Sequence, residues 1–213
     1  MLNSYTNPTS LVIAGAWNPD VLSPKWIGKE VLGMQLGQDF PVTVQLPIGS
    51  PTQRPTYEFE NIKYVASRAS LTFFLNPDDA TQFEKSIRSA ATILNLLAHT
   101  PVTGFGFNFF FEIEEPSTTL LGTFSSGSLL IDIIEEAEVQ IVVQNWKTLI
   151  KTNDYLLSLD TTLEGGKVLL NFNVHFEVTN AAQASEFLSK ENSFLNIKDK
   201  ILSMANRLDN LGE

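Results

Sequence analysis

The chain has 213 residues, 43% of them hydrophobic and 18% charged, and it has no cysteine. Its 14 Lys and Arg stand against 24 Asp and Glu, a net charge of −10. These values exclude disulfides, thiolate nucleophiles and Cys-ligated zinc. They also set an acidic surface against phosphate backbones and anionic lipid, so neither nucleic acid nor membrane is expected as a partner.

The first residues, Met1 to Pro8, hold no basic n-region and no apolar core of a signal peptide. No apolar run approaches the roughly 20 residues that span a bilayer. A cytoplasmic location is the expectation. Residues 10–16 form a short apolar run that reads as a strand, ended by Trp17-Asn18-Pro19. Ser23-Pro24 supplies an N-cap followed by proline at the first helical position, and a short helix is expected over 24–32. Val42 to Leu46 alternate as a strand, and the proline-rich stretch 47–55 reads as a loop.

Tyr57 to Arg68 read as one strand or a bent pair, and Ala69 to Leu75 as another. In Asn76-Pro77-Asp78-Asp79, Asn76 is expected to cap, Pro77 to take the first position, and the aspartates to meet the helix dipole. Phe83, Ile87, Ala90, Leu94 and Leu97 then recur at helical spacing through 79–98. The strand 103–114 puts Phe105, Phe107, Phe109, Phe111 and Ile113 on one face, with Asn108, Phe110 and Glu112 on the other. Residues 116–128 are rich in Ser, Thr and Gly and read as a loop, and 129–138 lean towards a helix.

Three strands follow, at 139–150, 155–163 and 167–178, joined by turns at Thr152-Asn153-Asp154 and Glu164-Gly165-Gly166. The last has Val168, Leu170, Phe172, Val174, Phe176 and Val178 on one face and Asn171, Asn173, His175 and Glu177 on the other. Asn180 caps a helical stretch over 181–210 that Asn192-Ser193 divides. Its second part carries a stripe of Phe194, Ile197, Ile201, Met204 and Leu208.

A strand pattern occurs twice. Residues 107–113 and 172–178 both fit Phe-Asn-x-x-Phe-Glu-[Ile/Val]. Strands with one apolar face need cover, and two amphipathic helices can provide it. The expected fold is therefore α+β, a mostly antiparallel sheet with helices packed on one face, in a single domain over 1–213. The element order also admits an internal βββα pseudo-repeat, with halves 40–100 and 139–210 joined by 101–138. Convergent strand composition explains the same likeness.

The polar sheet face offers the candidate binding residues Asn108, Glu112, Asn171, Asn173, His175 and Glu177. A histidine oriented by a carboxylate is a general-base arrangement, with asparagines for a substrate's polar groups. The same residues suit an ordinary solvated sheet face. No serine in a sharp-turn motif accompanies His175, so no catalytic residue is assigned. His99 suits the end of a helix dipole. The clusters Glu112/Glu114/Glu115 and Glu135/Glu136/Glu138 lack calcium-loop spacing, so no metal or cofactor is assigned. Gly104-Phe-Gly106 opens a strand rather than a helix, which disqualifies it as a nucleotide fingerprint and suits a bend or the close approach of a neighbouring element.

Two functional readings remain. One is a non-catalytic binding or assembly protein, homo-oligomeric or bound to a protein partner. The other is a small-molecule binding protein or enzyme holding an apolar ligand between sheet and C-terminal helix. The element order is distantly similar to that of the SecB-type export chaperones, which combine an antiparallel sheet with helices and assemble through them. That likeness rests on element order alone and would favour the first reading.

Overall fold

The structure, a computed structural model, describes residues 2–4, 8–35, 41–46, 54–76, 78–125, 143–190 and 193–211. The fold is α+β with an antiparallel sheet. The described strands are β1 (Leu2–Ser4), β2 (Thr9–Gly15), β3 (Thr43–Gln45), β4 (Thr56–Phe59), β5 (Ile62–Ala66), β6 (Ser70–Leu75), β7 (Val102–Ile113), β8 (Val143–Lys151), β9 (Leu156–Glu164) and β10 (Lys167–Glu177). The helices are α1 (Pro24–Trp26), extended by a π-helical turn Ile27–Val31, then α2 (Ala80–Leu96), α3 (Thr118–Ser125), α4 (Ala181–Ser189) and α5 (Ser193–Asp209).

The chain divides into two compact units. The larger comprises 8–108 and 174–194, and the smaller comprises 1–7, 109–173 and 195–213. Strands β7 and β10 contribute one end to each. These units do not coincide with the halves 40–100 and 139–210, and the pseudo-repeat is not confirmed.

In the larger unit the hydrogen-bonded neighbours run β3-β4-β5-β6-β2-β7-β10. The segment 57–68 is a hairpin, because Glu60 (φ 50°) and Asn61 (φ 61°) both enter the left-handed region that a two-residue turn needs. Alternation then buries Ile62, Tyr64 and Ala66 on β5, Leu71, Phe73 and Leu75 on β6, and Leu11 and Ile13 on β2. Helix α2 buries Phe83, Ile87, Ala90, Ala91 and Leu94. Helix α4 packs on α2, where the Ser185 hydroxyl donates to Ala91 O at 3.0 Å.

The cap of α2 differs from expectation. Asp79 is the N-cap, accepting from the backbone N–H of Thr81 and Gln82. Asn76 instead accepts from the N–H of Asp78, which makes a turn ahead of the helix. Asn180 caps α4 as expected, accepting from Gln183 N at 2.9 Å. The helix after it is interrupted as expected: α4 ends at Ser189, Lys190 is extended, and α5 begins at Ser193.

In the smaller unit β1 pairs antiparallel with β7, with Leu2 opposite Ile113, and β10, β9 and β8 are successive neighbours. The stretch 116–128, expected as a loop, contains helix α3. Ser117 caps it by accepting from Leu120 N, and its hydroxyl donates to Leu211 O. Leu120, fully buried, anchors it. Along α5 the buried stripe is Ile197, Ile201 and Ala205. Met204, expected in the stripe, is 37% exposed, because the i, i+4 step from Ile201 lands on Ala205. The segment 129–138 lies outside the described residues.

Candidate functional site

Each expected site residue has a definite setting, and the two units hold three apiece. Asn108, His175 and Glu177 belong to the larger unit, and Glu112, Asn171 and Asn173 to the smaller. Burial alternates along β10 as the pattern requires. Val168, Leu170, Phe172, Val174 and Phe176 are buried, Asn171, Asn173 and His175 half-buried, and Glu177 exposed.

In the larger unit His175 lies against the backbone of Gly104. A Cβ at position 104 would stand 2.7 Å from the imidazole Cε1 and 3.1 Å from Phe176 O. The glycine thus permits close approach of the neighbouring strand. Asn108 donates through Nδ2 to Ser10 Oγ at 3.2 Å, across the β2–β7 register that sets the two residues opposite each other. His175 and Glu177 make no hydrogen bond to each other. Residues two apart on a strand stand roughly 6.6 Å apart, so a carboxylate there does not orient the imidazole as a general base would need.

In the smaller unit Lys167 Nζ donates to Glu112 Oε1 at 2.5 Å and lies 3.7 Å from Glu114. The hydrogen bond to the Glu112 carboxylate raises the Lys167 pKa above its ordinary value. Desolvation opposes that shift, and the charges of Glu112 and Glu114 reinforce it. Glu112 is thereby committed to an ion pair. Asn171 Oδ1 is buried without a hydrogen-bond partner among the described residues. No group of three or more His, Asp or Glu able to hold a metal ion occurs among the described residues. His99 is exposed, three residues beyond the end of α2.

An apolar ligand would need room along the phenylalanine stripe. In the larger unit that stripe is filled. Phe105 stacks on Phe176 (centroids 4.9 Å, planes 10° apart) and meets Phe187 at 5.1 Å. Phe107 meets Phe194 at 4.5 Å, and Phe83 meets Phe194 at 4.1 Å. Rings from the helical segments therefore occupy the space in front of β7 and β10. Concave surface lies elsewhere in this unit, in an open groove of about 510 Å³ between Val31 and Leu32 on one side and Thr81, Lys85 and Arg88 on the other. Its cations are already paired, Lys85 with Glu60 at 3.1 Å and Arg88 with Glu84 at 3.3 Å.

Strand β8, in the smaller unit, carries several exposed apolar side chains. Leu149 is 61% exposed, and Val143 and Ile150 are each 45% exposed. Leu156 of β9, opposite Lys151, is also exposed. Strand β8 ends the strand order and has β9 as its one neighbour among the described residues. Consecutive residues of a strand face opposite sides, so Leu149 and Ile150 leave apolar surface on both faces. The sequence reading placed this strand within a meander and missed its exposure, since alternation alone does not tell an edge from a centre.

The chain matches no family model and no curated protein. The likeness to export chaperones stays one of element order. No helix among the described residues is long and apolar enough to cross a membrane.

Proposed function

We propose that the protein is a non-catalytic binding and assembly protein, acting through protein–protein contacts and self-associating. The observation that carries this reading is strand β8, nine residues long, an edge among the described residues, with Val143, Leu149 and Ile150 exposed. An edge strand presents unpaired N–H and C=O groups that another strand can complete. Proteins commonly blunt such edges by keeping them short, as β3 does here with three residues. Lys147 and Lys151 are the charges on β8, and Lys147 is drawn to Asp160 on the neighbouring strand at 3.3 Å. The polar residues Asn108, His175 and Glu177 of the larger unit, and separately Glu112, Asn171 and Asn173 of the smaller, then serve as solvated surface or as part of a partner's footprint. A cytoplasmic setting, with no nucleic acid or membrane partner, fits the acidic balance.

The test is native mass spectrometry of gently purified protein, alongside a Leu149→Lys/Ile150→Lys variant. Masses at multiples of 23.6 kDa, or with a second polypeptide attached, that collapse to the monomer in the variant support the reading. A monomer carrying a reproducible small adduct overturns it and returns attention to the small-ligand alternative.

A further inference from the structure

We infer that two copies of this chain pair through the exposed face of α5, with the helices antiparallel about a two-fold axis at Ser203. This rests on the assembly reading and names a second surface, distinct from β8. Helix α5 buries Ile197, Ile201 and Ala205 and leaves Asp199, Leu202, Ser203, Asn206 and Arg207 in the open, with Asn210 exposed just past its end. Those six line a shallow groove of about 520 Å³ along the helix.

The charges on this face complement their own inversion. Asp199 and Arg207 are each four residues from Ser203, about 6 Å along the axis on either side. When a second α5 lies antiparallel across Ser203, Asp199 meets Arg207 of the second copy, and Arg207 meets its Asp199. Leu202, 37% exposed, lies next to the axis, where two-fold symmetry brings it against its own copy. The small Ser203 at the centre allows the helices to reach the 8–10 Å separation usual for packed pairs. Neither Asp199 nor Arg207 has an ion-pair partner within the chain among the described residues. A parallel arrangement would set Asp199 against Asp199 and Arg207 against Arg207, which selects the antiparallel one.

Charge exchange tests the pairing. Sedimentation equilibrium of the full chain at low salt would compare the natural protein with Asp199→Arg, Arg207→Asp, the double exchange, and Ser203→Gln, which lengthens the central side chain without adding charge. Each single reversal acts twice in a symmetric dimer and is expected to weaken it by roughly tenfold or more. The double exchange is expected to restore it, and Ser203→Gln to weaken it again. Circular dichroism melts check that each variant folds. A dimer indifferent to all four changes but lost in Leu149→Lys overturns the α5 pairing and leaves the β8 reading standing. Singles that weaken the dimer with no recovery in the folded double exchange also overturn it. A natural protein that is monomeric at every concentration overturns both.

Discussion

At the scale of the residue, Tyr64 shows how one polar atom is kept in the core. Its side chain is fully buried among Phe59, Tyr57 and Phe73, and its hydroxyl donates to Leu22 O at 2.9 Å. Burial, aided by the nearby Tyr57 oxygen, pushes its ionisation well above the ordinary tyrosine value. The folded state therefore holds a proton that the unfolded chain releases near pH 10. The raised value means the contribution is intact below that pH and is lost progressively as pH rises above it. Tyr64→Phe should cost about 1–3 kcal/mol at neutral pH, because Leu22 O is left without its donor. Urea titrations at neutral pH and near pH 11 should then show a smaller alkaline loss in the variant than in the natural protein. An equal loss in both would remove Tyr64 from the account. Gly104 makes the matching steric case. Gly104→Ala should destabilise by about 1–3 kcal/mol, since its methyl collides with His175. Adding His175→Ala should recover part of that, leaving the closeness of Phe176 O. No recovery in the double variant's melting curve would show that the imidazole is not the obstacle.

At the scale of the element, end residues decide more than interiors do. Asp79→Ala removes the acceptor shared by Thr81 and Gln82 and should cost about 1 kcal/mol. Asn76→Ala, outside the helix, should cost less, and chemical denaturation of the two variants gives the order directly. The apolar periodicity of α2 was legible in the sequence, but Asn76 and Asp79 both suit a cap, and only the position at which the chain turns helical separates them. The strands were legible for a similar reason: burial alternates with period two along β10, and Phe105, Phe107 and Phe109 are buried on β7. Helix α3 was hidden because Thr118, Thr119 and Gly122 read as loop chemistry, while what holds it, Leu120 in the core and Ser117 bonded to Leu211, is distant in sequence. The polar candidates on β10 were correctly placed on one face. Their partners were not foreseeable, since the approach of His175 to Gly104 and the pairing of Lys167 with Glu112 follow from register between strands far apart in the chain.

At the scale of the whole molecule, net charge opposes the association that the exposed strand favours. Each copy carries −10. Two such bodies about 40 Å apart would repel by roughly 10 kcal/mol in unscreened water. The Debye length falls from about 30 Å at 0.01 M salt to about 8 Å at 0.15 M, so most of that repulsion disappears over this range. Contacts between Leu149, Ile150 and an apolar partner are not themselves weakened by screening. Association through β8 should therefore strengthen as salt rises. The measurement is sedimentation of Ser203→Gln, whose α5 face is obstructed and whose charge is unchanged, at the two salt concentrations. A dimer that tightens with salt, and that Leu149→Lys abolishes at both, places the contact on the apolar edge. A dimer that loosens with salt would mean that ion pairs hold it and that the exposed strand is not the joining surface.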